Sequence, residues 1–477
     1  MGRLNPKNEI EIGLKAIFDC AYYIKNQNNK DLYNILESNE NREKALILLR
    51  KNGSLKKEDL FLSIDEIKEQ IPMVSSCREP PILDSLQKIR IILTVLESKN
   101  IDIGFGYDDI EKFFGAIVVL NSIYRNKNLH FGSALNLDIS HDSPFITFEE
   151  LSQISLLGKK VLLKLFEVFS APFDSIDKNN VHKLCKYNGS YICIFEESLA
   201  YSSFFYFEEY VLNNTGINPD EYYELRGRGF EQYVTCYISE CFPKERIHTN
   251  ATYIDKEKRK HEIDVLVECA NYRMVFECKT TNFLFRKSPN GEEAFKRLAH
   301  SSFRKGMKTL NDFYEFIKSE NPTIRFNKNT QFALKHKPTL SLIVTLGKTL
   351  TISGEVSKIY KEDHLEVISP IMHVADLCDI LFLVRNCENF YDYFSKRFSL
   401  VNTYRMFTAD IDEIDAFGMI TTPGYYERVI QYAKAFPDID LSFMTQNGQY
   451  RGKVNFEFNN RYLSYIIHKY FPSIEPK

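Results

Sequence analysis

The stretch from Glu262 to Lys279 limits what this chain can fold into more than any other. Two apolar runs, Ile263–Val267 and Arg273–Lys279, are separated only by residues 268–272, with Asn271 as a turn residue. A short connection between two strand-length runs favours a hairpin. Side chains alternate along a strand, so Glu277 and Lys279 share one face of the second run. Placing a carboxylate and an ammonium in so apolar a strand is costly unless they are paired or hold a metal. The hairpin also brings Asp264 of the first run close to Glu277. Two adjacent carboxylates attract a hard cation with oxygen ligands, which suits Mg²⁺ or Mn²⁺. A lysine beside them can stabilise charge on a phosphate, or help position and deprotonate an attacking water. The plainer alternative is a surface hairpin carrying a salt bridge. The runs are continuously apolar rather than alternating, which reads as buried strand.

The neighbouring sequence supplies a frame. Gly229–Cys241 reads as a helix stopped by Pro243, and it carries Glu231 as a possible third carboxylate. Arg246–Ile254 reads as a strand, followed by the charged turn Asp255–Lys260. Pro289-Asn290-Gly291 opens a long helix, about Glu292–Lys318, and Leu340–Leu346 is a buried strand by its apolar run. Helix, three strands, helix and strand make a mixed α/β domain. The chemistry expected of its acidic groups is binding of one or two Mg²⁺ ions and in-line attack of water on a phosphodiester.

Glu231 in a first helix, Ile263-Asp264 in one strand, Glu277-Cys278-Lys279 in the next and a basic helix after them resemble the PD-(D/E)xK, or restriction-endonuclease-like, nuclease superfamily. The resemblance covers roughly residues 225–385. Ile263 stands where the family's eponymous proline would be, a departure shared by many members. The resemblance implies a mixed sheet flanked by helices with the motif on a central hairpin. It implies Asp264 and Glu277 as metal ligands, joined by the backbone carbonyl of Cys278. Lys279 would be the catalytic lysine and Glu231 the extra acid of the first helix. Some members carry a further Gln or Lys in the helix after the motif. Lys305 and Lys308 both qualify.

That helix has its own signal. From Arg286 to Lys308 there are seven Lys/Arg against two Asp/Glu. Arg297, His300, Ser301, Arg304 and Lys308 share one face on a helical wheel, a face able to track a phosphate backbone together with Lys305. A merely solvated charged face is the alternative.

Upstream, residues 1–215 read as mainly helical. Ile10, Leu14, Ile17, Phe18 and Ala21 follow the helical period, as do Leu86, Ile89, Ile92, Leu93 and Leu96. Asp108–Tyr124 and Phe148–Phe169 are further helices, and Ser190–Phe195 is a short strand. The boundary falls at Asn213-Asn214-Thr215-Gly216, before Pro219. This divides the chain into a helical sensing or targeting domain (1–215), a nuclease-like domain (216–390) and a mainly helical extension (391–477).

Several classes are excluded or demoted. Of the ten cysteines no two are spaced as CxxC, so no zinc knuckle or thioredoxin-like motif is indicated. Gly347-Lys348-Thr349 has Leu342 where a phosphate-binding loop needs its first glycine. His130 and His141 flank a Ser/Asp-rich loop without ligand spacing, His261 reads as a turn or strand-edge residue, and Ser239 and His248 belong to no triad. No run approaches a membrane span, and the first residues carry neither a signal-peptide core nor a myristoylation signal. The chain therefore reads as cytoplasmic, with no membrane partner. A net charge of −3 means that any nucleic-acid site is a local patch. The leading expectation is an Mg²⁺- or Mn²⁺-dependent nuclease, acting on DNA in preference to RNA, alone, as a homo-oligomer or with a partner subunit. Its layout resembles restriction or phage-defence effectors. The competing expectations are an RNA-cleaving nuclease and a non-catalytic nucleic-acid-binding or scaffold protein on the same fold.

Overall fold

The computed structural model describes residues 82–125, 145–172, 183–187, 190–192, 196–280, 291–319, 321–326, 330–347, 362–404, 413–435 and a few positions between 461 and 469. The N-terminal helix expected around Ile10–Ala21, and His130 and His141, lie outside these residues. Contacts divide the described residues into two units, one on each side of Ile217 and Asn218, with those after Phe456 grouping with the first. Among the described residues no helix is long and apolar enough to cross a membrane.

The first unit is helical with a small sheet. Its helices are α1 (Ile82–Gln87), α2 (Ile89–Ser98), α3 (Tyr107–Arg125), α4 (Phe148–Ser155), α5 (Lys159–Phe169) and α6 (Glu196–Asn214). A phenylalanine cluster joins α3 to α5, with Phe113 edge-on to Phe166 at 5.5 Å and Phe114 edge-on to Phe169 at 5.1 Å. The single helix expected over Phe148–Phe169 is two. Thr147 and Glu150 cap α4 reciprocally, Leu156 then adopts a left-handed conformation with φ of 56°, and Gly158 starts α5. The apolar period runs through that break, which is why it reads as continuous. The lone strand expected over Ser190–Phe195 also needs correction. It is β4 (Ser190–Ile192) of a four-stranded sheet with β1 (Phe145–Ile146), β2 (Ser170–Pro172) and β3 (Leu184–Tyr187), in the order β1-β4-β3-β2. Strands this short carry no period to read.

The second unit is a mixed α/β layer structure. It opens with α7 (Pro219–Cys241), which starts ten residues before the expected Gly229. The reason is local: Asn218 accepts from the backbone N–H of Asp220 and Glu221 at 2.9 and 3.3 Å, and Pro219 occupies the first helical position, where its missing N–H costs nothing. Strands β5 (Ile247–Ile254), β6 (Lys260–Glu268) and β7 (Arg273–Lys279) follow, then α8 (Gly291–Ile317), β8 (Thr323–Phe326), β9 (Thr330–Ala333), β10 (Thr339–Thr345) and β11 (Ile371–His373). Helices α9 (Val374–Val384), α10 (Cys387–Asn402), α11 (Glu413–Thr421) and α12 (Tyr425–Ala435) complete it. The seven strands order as β11-β10-β7-β6-β5-β8-β9, with β7, β10 and β11 parallel and the remaining neighbours antiparallel. The hairpin β6–β7 is thus central. Ile263, Leu266, Val275 and Ile343 of the sheet pack against Phe303, Met307, Leu310 and Phe313 of α8 in one buried core. Strand β7 is buried from Arg273 to Cys278, as a strand covered on both faces must be.

Both turns that frame the hairpin are held by side chains. At the β5–β6 turn, Asp255 Oδ1 accepts from the N–H of Glu257 and Arg259 at 2.9 and 2.8 Å, and Oδ2 contacts His261 Nε2 at 2.8 Å. At the β6–β7 turn, the Arg273 guanidinium is only 1% exposed. It donates to both Glu268 oxygens, at 2.7 and 3.2 Å, and to the Lys335 carbonyl at 3.0 Å. Lys337 Nζ completes the pair on Glu268 Oε1 at 2.6 Å. Removing one partner of a buried ion pair leaves the other charge uncompensated, which costs about 3–5 kcal/mol. Glu268→Ala should therefore lower unfolding free energy by about that amount, read by urea denaturation followed by circular dichroism. A change below about 1 kcal/mol would mean the turn is not held by this network.

Candidate metal and phosphodiester site

The site lies where β6 and β7 stop pairing. The last residues in register are Val265 and Phe276, so the next step would set Asp264 against Glu277. There the Asp264 carboxylate replaces a strand partner: its Oδ2 accepts from the Cys278 N–H at 2.6 Å. On the other side of β6 the register also skips a pair, between Thr249–Val265 and Ala251–Ile263. The residue skipped on β5 is Asn250, which sits in the left-handed region with φ of 52°. Asparagine tolerates that conformation better than most residues. Both strands flanking Asp264 thus depart from regular pairing at its level.

Glu277 is 4% exposed. Its Oε1 accepts from Lys279 Nζ at 2.5 Å, and its buried Oε2 has no hydrogen-bond partner. Burial, and then the charge of Asp264, push the Glu277 carboxyl up to about 8. Burial, Asp264 and Glu262 push Glu231 up to about 7. Burial likewise raises Asp264, against the lowering effect of the Cys278 N–H and Lys279. Burial works against charge on Lys279 as well, but the charge and hydrogen bond of Glu277 outweigh it and the ammonium is held protonated. The site therefore gathers more carboxyl groups than one lysine neutralises, and protons take up part of the charge.

Lys279 is clamped from three directions. Its carbonyl accepts from the Leu346 N–H at 3.0 Å, just past β10. The next carbonyl, of Thr280, accepts from Arg226 Nη2 of α7 at 3.1 Å. Its side-chain stem lies on α8 at Gly306, where a Cβ would stand 3.2 Å from Lys279 Cε, 3.2 Å from Ile343 Cδ1 and 3.6 Å from Glu277 Cγ. Arg226 and Gly306 escaped the sequence reading. Neither belongs to the carboxylate–lysine pattern, and a glycine within a helix signals only lost propensity.

Glu231, Asp264 and Glu277 line one cavity of about 1230 Å³ bounded by α7, β5, β6, β7 and α8. Lys305 and Thr309 of α8, Asn250 and Glu262 line it too. Of the two lysines left open by sequence, Lys305 faces the cavity and Lys308 is exposed without being part of its lining. Arg304 is engaged elsewhere, its Nε on Asp363 Oδ2 at 2.6 Å and its Nη1 3.7 Å from Glu362. The side chains of Arg297, His300 and Ser301 lie outside the described residues. Glu262 was read as strand without a role, although its two-residue offset from Asp264 was the signal for a shared face.

As a metal site, the residues fit a hard cation held by few protein ligands. Among the described residues no three His, Cys, Asp or Glu side chains cluster as ligands. What exists is a pair, Asp264 and Glu277, with one unpartnered buried oxygen, and Cys278 beyond the last β6–β7 pair. One or two carboxylates plus carbonyl and water is an ordinary set for Mg²⁺. No protein-family model matches the chain, and no curated protein matches it.

Two outcomes follow. Glu277 and Glu231 titrate above the ordinary carboxylate value of 4.5 in the folded chain. Between about pH 5 and about pH 8 the folded state thus keeps protons that the unfolded state has released, so stability falls as pH rises. The melting temperature in EDTA should drop across that window, and Glu277→Gln should flatten the drop. A melting temperature that is level or rising with pH would contradict the crowding. Gly306→Val should destabilise by about 1–3 kcal/mol through overpacking, measured by urea denaturation. A neutral result would mean that α8 does not rest on the Lys279 stem.

Proposed function

We propose that this protein is a metal-dependent nuclease that hydrolyses phosphodiester bonds, of DNA in preference to RNA, on a restriction-endonuclease-like fold of the PD-(D/E)xK type. The observation that carries the reading is Glu277. A buried carboxylate with one oxygen on Lys279, the other unpartnered and Asp264 beside it is unfavourable in a resting protein. It becomes favourable when a cation arrives. The central position of the β6–β7 hairpin, with α7 before it and α8 leading to parallel β10, supports the fold reading.

In this reading Asp264, Glu277 and the Cys278 carbonyl hold Mg²⁺ or Mn²⁺, with Glu231 at the edge of the set. Bound there, the ion supplies charge neutralisation at a phosphate and a water of lowered pKa. The protein's own groups do the positioning. Asp264 is oriented by the Cys278 N–H, which leaves Oδ1 for a ligand. Lys279, fixed by Glu277 and by the packing of its stem on Gly306, presents a permanent positive charge to a phosphate oxygen or to the attacking water. Glu231, with its carboxyl near neutrality, is suited to exchange a proton with solvent.

The test is incubation of the purified chain with plasmid, linear duplex and RNA in Mg²⁺, Mn²⁺ or EDTA. Cleavage should require the metal, and Asp264→Ala or Lys279→Ala should each slow it at least about 100-fold. Cleavage in EDTA, or cleavage surviving both substitutions, would sink the assignment.

A further inference from the structure

The tip of the β5–β6 hairpin gathers positive charge. Between the closing pair Ile254–Lys260 the chain turns through Asp255, Lys256, Glu257, Lys258 and Arg259. The turn closes on itself. The N–H of Asp255 donates to the Arg259 carbonyl, and that of Lys258 to the Asp255 carbonyl, both at 3.0 Å. Both acids of the turn are paired with Arg259, whose guanidinium lies 2.8 Å from Asp255 and 3.0 Å from Glu257. Lys256, Lys258 and Lys260 are exposed, and none of them forms an ion pair among the described residues. Lys258 is the informative one. Its φ is 63°, in the left-handed region that glycine enters without a steric penalty. Turn-making alone would favour glycine there, so it does not explain a lysine.

Register ties this tip to the site. Lys260 and Glu262 share one face of β6 by alternation, and Glu262 lines the cavity with Asp264. Thr252 of β5 pairs with Glu262 on one side and with Arg325 of β8 on the other, so the exposed Arg325 joins the same face. The opposite face of these strands is core, with Ala251, Tyr253, Ile263 and Ile324 packed together. Four residues of strand, about 13 Å, separate Lys260 from Asp264. A strand of duplex advances about 3.4 Å per nucleotide along its axis. A backbone lying on the tip thus comes to the carboxylates within about four nucleotides.

We infer that the β5–β6 tip is a contact for a nucleic-acid phosphate backbone, with Lys256, Lys258, Lys260 and Arg325 holding it beside the carboxylate site. This rests on the nuclease reading for the choice of nucleic acid over another polyanion. The tip positions the substrate and reads no bases, since phosphate contacts carry no sequence information directly.

The test separates binding from cleavage. Full-length Lys279→Met protein is titrated in Mg²⁺ against a fluorescein-labelled duplex of about twenty base pairs at several salt concentrations, and anisotropy is read. Each phosphate contact contributes about −0.9 to the slope of log K against log salt. Adding Lys256→Gln, Lys258→Gln and Lys260→Gln together should therefore flatten the slope by about 2.7 and weaken binding about a hundredfold at about 0.15 M salt. Lys258→Gly separates charge from fold. It should leave the melting temperature level or higher, yet weaken binding about fivefold. With Lys279 restored, the triple substitution should raise KM for plasmid and leave kcat unchanged. Unchanged affinity and slope in the triple variant, or undiminished binding by Lys258→Gly, would overturn the inference. So would tip-dependent binding to phosphatidylserine vesicles without tip-dependent binding to the duplex. Tip-dependent duplex binding without metal-dependent cleavage by the unsubstituted chain would leave the tip and remove the nuclease. Metal-dependent cleavage indifferent to the triple substitution would do the reverse.

Discussion

The second unit is organised around a conflict between charge and burial at the end of β7. Glu277 and Asp264 are drawn together by the hairpin register, and both are taken out of water by the same core that makes β7 a strand. Lys279 compensates one charge. Everything nearby serves to keep that imbalance in place: the Cys278 N–H on Asp264, the Leu346 N–H and Arg226 on the strand's last carbonyls, and α8 on the lysine stem. A buried ion pair is weak evidence for stability, since an apolar replacement would usually serve as well or better. Its presence in this buried strand is therefore not explained by stability alone.

The far end of the hairpin shows the contrast. There Arg273, Glu268 and Lys337 form a network in which each described charge meets an opposite one and Arg273 also reaches a carbonyl. Both ends of one hairpin bury charge, and only one end leaves a carboxylate oxygen without a hydrogen-bond partner. A carboxylate with both oxygens bonded fixes the strands in register at the turn. A carboxylate with one oxygen unbonded is then held at the opposite end, some seven residues along, without loosening the sheet.

The sequence carried the second unit's central elements well because they are long and continuously apolar. Arg273–Lys279 is placed by sequence as the structure has it, the turn expected over Asp255–Lys260 ends one residue sooner because β6 begins at Lys260 rather than Ile263, and α8 begins at Gly291, one residue before the expected Glu292. Glu231, Asp264, Glu277 and Lys279 could be proposed together because strand alternation and a family resemblance pointed the same way. What escaped has specific reasons. β8, β9 and β11 are only three or four residues long and pair at sheet edges, too short for any period. The first turns of α7 were missed because Pro219 reads as a breaker unless the preceding Asn218 is recognised as its cap. Arg226 acts through a carbonyl, which leaves no mark in residue type, and Asn250 through a left-handed backbone that asparagine tolerates but does not require.

Gly306 has a consequence for how such sites could be sought in other chains. A helix normally stands off a sheet by the thickness of two side chains. Here one is missing, so the helix backbone itself forms the wall against which the lysine's methylenes lie. The separation of helix and strand at that point is set by a residue with no chemistry of its own, fifteen positions beyond the start of α8 and outside any motif built from carboxylates and lysines. A search pattern that asks for Glu-x-Lys followed by a glycine on the inner face of the next helix would test clearance as well as charge, and would pass over surface hairpins that merely carry the right letters.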